Sequence, residues 1–365
     1  MAKIFGHLGI NDSEYVWQLT SGQGLIWDTA QEYLARVNAD INQAMSVFVS
    51  GETENRTDRY KLPGSGGGLQ RRSSNGRYAA VKADGEFDVA FPLEDFGAML
   101  AGNDVDMAYM TVAELDNHIN TIVDDNIITL RFELLKALLN NTQDSFVDRA
   151  GTLAIEPLAN GDPVVYPPVL GSTTAATEDH YLGSSYAAAS ISDTNDPYVT
   201  IADELEEHFG TPTGGSEIAV FINSAQRAKT LDLAAFTPIT DMHINPGNDT
   251  ATVNGMPPRL MANSGWRILG RHDELGVWVV EWRHIPASYL LGVHLGVEAP
   301  LKKRVDPAAV GLGTGLQLVA TDEKFPFTES IWRHRFGFGV ANRLNGVVMD
   351  LSNTDSDYDI PTAYA

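Results

Sequence analysis

Cysteine is absent from the sequence, and positive charge is scarce: 25 Lys and Arg stand against 48 Asp and Glu, a formal net charge of −23. Without cysteine there can be no disulfide scaffold, thiolate metal site, cysteine nucleophile or iron–sulfur cluster. The shortage of Lys and Arg argues against a surface built to grip nucleic acid, which needs clustered cations. No stretch approaches the ~20 apolar residues of a membrane span. The opening MAKIFGHLGINDSEY has no apolar run of signal-peptide length, so the expectation is a soluble protein of intracellular origin. What is present is ordinary for a folded chain: 365 residues, 43% of them hydrophobic, enough for about two domains with an ample core.

The charge is unevenly placed. Between Arg56 and Lys82 lie seven basic residues, Arg56, Arg59, Lys61, Arg71, Arg72, Arg77 and Lys82, opposed only by Asp58. This stretch carries +6 and leaves −29 for the remainder. A basic island in an acidic chain reads as a solvated loop, a nucleic-acid arm, or an arm docking on an acidic surface such as another copy of the chain. The flanks favour an arm. VFVSGE (47–52) and RYAAVKADGEFDVAFP (77–92) have strand character, and Pro63, Gly64, Gly66, Gly67 and Gly68 mark a tip between them. Two strands over residues 53–86 would reach roughly 50 Å at ~3.3 Å per residue. An isolated hairpin of that kind is marginal in water and needs a neighbour.

Long helical patterns flank the arm. Trp27, Ala30, Leu34, Val37, Ile41, Ala44 and Phe48 share one helical face, preceded by a Gly-rich segment (21–24) that reads as extended. From Val112 to Leu138 apolar residues recur at helical spacing, with Thr111 and Glu114 at capping-box positions. One helix over 111–142 would span about 48 Å, a spine for an elongated body. Residues 157–198 are rich in Pro, Gly, Ser and Thr and read as a surface excursion. Then come a helix over 200–210, a buried strand over 217–222 and a helix over 224–236. WRILG and GVWVVEW read as strands around an HDEL turn, and IPASYLLGV as a short helix-like segment or turn. VEAPLKKRV, LQLVAT and ESIWRHRFGFGVANRLNGVVMDL complete a strand-rich end, and NTDSDYDIPTAYA an acidic tail.

Motifs that carry chemistry are missing. The glycines at 64–68 lack the Gly-Lys-Ser/Thr of a phosphate loop, and Gly311, Gly313 and Gly315 read as a turn between strands. No G-x-S-x-G elbow occurs. The nine histidines form no H-E-x-x-H or H-x-x-x-H pair, so His284, His294 and His334 read as structural and no metal or cofactor is expected. Asp355, Asp357 and Asp359 lack the Gly and Glu of a calcium loop and read as a solvated tail. The pairs Asp124–Asp125 and Glu206–Glu207 read as exposed helix faces. Trp266, Trp278, Trp282 and Trp332 read as core. The expectation is a protein that is not an enzyme.

The order of elements resembles the major capsid protein of tailed bacteriophages, the Hong Kong 97-type fold that encapsulins share. VVEWRHIPASYLLGVHLGVEAPLKKRV is similar to that family's strand, Ile-Pro turn and return strand. TDEKFPFTESIWRHRFGFGVANRLNGVVMDL is similar to its last long strand and closing strand, and EIAVFINSAQRAKTLDL (217–233) to the opening of its axial domain. The resemblance implies an α+β fold with an N-terminal arm (1–48), an extended β-hairpin loop (49–92), a spine-helix peripheral domain (93–199 and 297–335), an α/β axial domain (200–296 and 336–352) and the acidic tail (353–365). It implies self-assembly through hexamers and pentamers into an icosahedral virion shell that encloses DNA without binding it specifically, built in the host cytoplasm. Fewer than 50 residues precede the loop, so a separate scaffolding protein is implied, with a portal and a decoration or cement protein as further partners.

On this reading Arg56, Arg59, Lys61, Arg71, Arg72 and Arg77 lie across an adjacent acidic subunit and form the inter-subunit contact. The rivals are an encapsulin-type shell with enzyme cargo and, in a different class, a secreted or virion-attached carbohydrate-binding or hydrolytic β-rich protein.

Overall fold

A computed structural model describes residues 22–61, 74, 76, 86–101, 111–209, 217–239, 258–261, 265–320, 329–352 and 357–365. The elements run α1 (Gly22–Met45), β1 (Val49–Thr53), β2 (Thr57–Lys61), β3 (Glu86–Ala90), β4 (Glu94–Ala101), α2 (Val112–Leu139), β5 (Asp144–Asp148), β6 (Gly151–Ile155), β7 (Tyr181–Gly183), α3 (Pro197–Phe209), β8 (Ile218–Ile222) and α4 (Arg227–Leu231). They continue with β9 (Phe236–Pro238), β10 (Arg267–His272), β11 (Val277–Glu281), β12 (Tyr289–His294), β13 (Leu301–Arg304), β14 (Gln317–Ala320), β15 (Glu329–Val340) and β16 (Val347–Asp350). The fold is mixed α+β. Among the described residues no helix is long and apolar enough to cross a membrane.

Seven strands form one sheet in the order β7-β16-β12-β8-β11-β10-β9. Its middle strand, β8, reads IAVFI and is buried throughout, as a strand covered on both faces must be. Successive side chains of a strand point to opposite faces. Ile218, Val220 and Ile222 accordingly meet Tyr198, Ile201 and Leu205 of α3, while Ala219 and Phe221 enter a second core with Leu134 and Leu138 of α2. The sheet draws β7 from residues 181–183, inside the stretch that the family resemblance assigns to a peripheral domain.

The second sheet is built on β15, twelve residues and ~40 Å long at about 3.3 Å per residue. That strand pairs antiparallel with β4 from Glu329–Ala101 to Phe336–Glu94, with β14 over Ser330–Arg333 and with β13 over Gly337–Val340, and β1 adds to β13 in parallel. Just before β4 begins, the chain crosses β15 at two glycines. A Cβ on Gly337 would stand 2.3 Å from the Pro92 carbonyl oxygen, and one on Gly339 2.7 Å from that of Ala90. Only residues without a side chain allow so close a crossing.

The spine helix is present as α2. Thr111 caps it, with Thr111 Oγ1 accepting from the Glu114 amide and Glu114 reaching back to the Thr111 amide. Its first half packs Leu115, Ile119 and Ile122 on Leu34 of α1 and Trp332 of β15; its second half packs on the seven-stranded sheet. One helix therefore serves two cores. The four tryptophans lie in or against these cores, as expected, and Gly311, Gly313 and Gly315 lie in the loop before β14 at φ of +71°, +66° and +82°.

Four expectations are corrected. The Gly-rich segment before Trp27 is helical from Gly22, because no proline interrupts a helix already nucleated downstream. The helix expected over 224–236 is only α4, because Phe236–Pro238 pairs with Gly270–His272 as β9. The turn-or-helix segment after Ile285 yields a buried strand, β12, between β8 and β16. The tail is not simply solvated: Tyr364 is buried, Tyr358 donates to the Leu139 carbonyl at 2.6 Å, and Tyr289 donates to the Asp359 carbonyl at 2.8 Å. Its tyrosine rings bring apolar area that outweighs the attraction of its aspartates to water.

Candidate assembly surface and a buried polar cluster

The basic arm begins as the antiparallel pair β2–β3, in register Thr57–Ala90 to Lys61–Glu86. Alternation sorts its residues. Tyr60 and Phe87 stack on one face, with ring centroids 5.3 Å apart, and Lys302 donates to Tyr60 Oη at 3.0 Å. The other face is charged. Arg59 grips Asp88 with Nε and Nη2 at 2.6 and 2.8 Å, an exposed fork that raises the arginine pKa and lowers that of the carboxyl. At the base, Asp148 on the β5–β6 hairpin sits between Arg56 Nε at 2.9 Å and Arg304 Nη2 at 3.5 Å. Arg304 also donates to the Phe91 carbonyl at 2.8 Å, fixing the exit of the arm to β13.

Of the six residues expected to reach a neighbour, the structure thus gives Arg56 and Arg59 carboxylates within their own chain, and Lys61 is exposed at the end of β2. Arg71, Arg72 and Arg77 lie outside the described residues, as do the glycine tip at 64–68 and Lys82. Exposed apolar side chains lie elsewhere: Ile128 and Phe132, one turn apart on α2, Met99 on β4 and Val147 on β5.

The interior holds polar anchors for the irregular segment that follows β6. Arg343, in the turn between β15 and β16, is fully buried. It donates to the carbonyls of Pro157 and Leu158 at 2.8 and 3.2 Å and pairs with Asp162 at 2.8 Å. Asn345 donates to the carbonyls of His294 and Glu298 and accepts from the His294 amide. His334 donates from Nδ1 to Asn126 at 2.7 Å, and burial pushes its pKa down to about 3. The ring of His294 accepts from the Gly296 amide at Nδ1, so each of these two histidines, read from the sequence as structural, has one ring nitrogen engaged inside the fold.

A cluster that the sequence did not announce joins this segment to α3. His180, just before β7, lies with Glu204 and His208 on the last turns of α3, and Glu178 and Glu207 border them. Burial drives Glu204 up to about 7 and both histidines down to about 4. Glu207 belongs to this half-buried group, which corrects its reading as part of an exposed pair. Neighbouring carboxylates 26 and 29 residues apart in sequence leave no spacing signal.

No family model matches the sequence, and no curated protein matches it. Solved structures do. The chain is similar to a structure from Mycobacterium phage Patience with a TM-score of 0.66 and 20% identity, covering 99% of this chain and 97% of that one. It is also similar to the capsid of an empty GTA particle (TM-score 0.45, 11% identity, 86% and 90% covered) and to the capsid of Myoviridae phage XM1 (0.44, 11%, 85% and 91%). The mixed α+β fold is thus shared with the structure from Mycobacterium phage Patience.

Proposed function

We propose that this chain is a structural protein, the major shell-forming subunit of a tailed-phage capsid. The observation that carries the reading is the likeness in fold to the Mycobacterium phage Patience structure over 99% of this chain and 97% of that one. The layout proposed is the Hong Kong 97-type one, with α1 ending the N-terminal arm, β2–β3 opening the extended loop, α2 as the peripheral spine and the seven-stranded sheet in the axial part. Hexamers and pentamers of the chain, with a scaffolding protein, a portal and a decoration protein as partners, would close a virion shell around DNA after assembly in the host cytoplasm.

Two physical features support it. A β2–β3 hairpin with few apolar residues and a basic continuation gains stability from a carboxylate-rich neighbour, and every copy of this chain is such a neighbour. Because Arg56 and Arg59 already hold Asp148 and Asp88, the contact with a neighbour falls mainly to Lys61, Arg71, Arg72 and Arg77. Single rim pairs contribute only ~0–1 kcal/mol, so register comes from repetition around the shell. The exposed Ile128 and Phe132 are the kind of apolar surface that a subunit contact covers.

Sedimentation velocity and negative-stain microscopy of the purified chain, with salt and concentration varied, test the reading. Capsomers, tubes or closed shells are expected; a monomer under every condition overturns it. The triple variant Arg71→Glu, Arg72→Glu, Arg77→Glu tests the arm separately. Lower shell yield and salt resistance are expected, and unchanged assembly removes the role of the arm while leaving the shell reading intact.

A further inference from the structure

The cluster between β7 and α3 has no part in shell contacts as described above, and its chemistry points elsewhere. His180 is completely buried. Its Nδ1 donates to the Gly346 carbonyl at 2.8 Å, which leaves Nε2 as the nitrogen with a free lone pair. That Nε2 has no hydrogen-bond partner. His208, whose side chain is 4% exposed, repeats the situation: its Nε2 is buried without a hydrogen bond, and the carboxylates of Glu207 and Glu178 stand 3.6 and 4.0 Å away. Ring nitrogens of His272, His294 and His334 are also buried without partners, but among the described residues only those of His180 and His208 lie together with carboxylates, and that combination asks for an explanation.

We propose that His180, Glu204 and His208 form a binding site for a divalent transition-metal ion of the zinc class, which fastens the segment before β7 to the last turn of α3. Each of the three offers a ligand atom within 4.8 Å of the others, and Glu204 and His208 gather in the same way with Glu178 and Glu207. Tetrahedral zinc with bonds of about 2.0–2.1 Å separates its ligand atoms by roughly 3.3 Å, so movements of about 1 Å by each side chain close the set. Two imidazoles and a carboxylate suit zinc and its neighbours, whereas magnesium and calcium take oxygen ligands.

The Nδ1 bond of His180 to a backbone carbonyl is the orienting contact that metal-bound histidines make. Glu178 and Glu207 gather with Glu204 and His208 but not with His180, so a fourth ligand from either would need a larger movement than the first three, and a water can take that place. The Glu207 side chain is 35% exposed, which opens the cluster to solvent on that side. An ion here satisfies both nitrogens and screens three carboxylates that otherwise repel one another. It would add to the fastening of the irregular segment after β6, which Arg343, the Asn160 side chain on the Asn141 carbonyl and the Leu170 amide on the Glu207 carbonyl already hold.

The test uses the full chain, assembled or not, so it stands apart from the shell reading. Protein stripped with EDTA is titrated with zinc chloride and followed by calorimetry, elemental analysis and thermal melting. One zinc per chain, a rise in Tm that EDTA reverses, no rise with magnesium chloride, and d–d absorption of a tetrahedral cobalt(II) complex are expected. Glu204→Gln and His208→Gln each remove one of the three proposed ligands. Each should weaken zinc binding by at least about 100-fold, since loss of an orienting contact alone costs 10–100-fold. Their circular dichroism without metal should match the parent's, which separates ligand loss from misfolding. Zinc bound at well under one per chain, or with the same affinity in both variants, overturns the proposal.

Discussion

Strands β8 and β2 are both five residues long, yet they are held in opposite ways. Every residue of β8 is buried, with partners on both edges and helices over both faces. β2 alternates exposed and half-buried residues, has one partner strand, and relies on Arg59, Tyr60 and the clamp on Asp148. Area removed from water stabilises the first within the chain alone. The second is held by exposed ion pairs, which contribute little while they stay in water, and by one half-buried aromatic pair on the small cluster of Val89, Phe91 and Ala341. A chain that keeps one region self-sufficient and the other under-stabilised has a region prepared to be completed by contact.

The largest test of that contrast is Phe221→Ala against Tyr60→Ala. The first leaves a cavity in the core shared with α2 and should cost about 3–5 kcal/mol in denaturant unfolding. The second should cost clearly less in the unassembled subunit, and equal losses would break the comparison.

Next in size is a response to acid that belongs to the covered interior. The folded pKa of His334 is depressed to about 3 against an ordinary 6.5, because burial disfavours its charged form and Lys303 repels it. Between those values the unfolded chain binds more protons than the folded one, so stability is fully present above pH 6.5 and falls as pH drops toward 3. His334→Gln, which keeps a donor for Asn126, should flatten this acid slope of the unfolding midpoint; an unchanged slope would separate His334 from the effect.

The smallest effect is expected at Arg59→Gln. Its fork to Asp88 is wholly solvated, so the unfolding midpoint of the free subunit should not move. A clear drop would show that the arm is more self-sufficient than the comparison holds.

What could be read from the sequence follows the same division. α2 was legible because its 3.6-residue period and its Thr111–Glu114 cap are local, and β8 because a doubly covered strand is a plain apolar run. The four tryptophans were legible as core from their strand positions. α4 and β9 were not, because the residues after Asp232 favour helix locally and only the distant partner β10 decides otherwise. The His180–Glu204–His208 cluster was out of reach for a related reason. Its members are 24 and 28 residues from His180 along the chain, and topology alone brings them together. The packing of Tyr358 and Tyr364 was hidden by the acidic residues around them.

Helix α2 and strand β15 also have a mechanical meaning. They pack along one another, about 42 Å of helix at ~1.5 Å per residue beside ~40 Å of strand. A pull along β15 loads its eight registered pairs with β4 together, in shear, and cannot open them one after another as peeling would. The helix beside it resists buckling when the load is compressive. Paired in this way, the two elements make a stiff beam through the subunit, and a force applied at one end arrives at the other with little lost to deformation between.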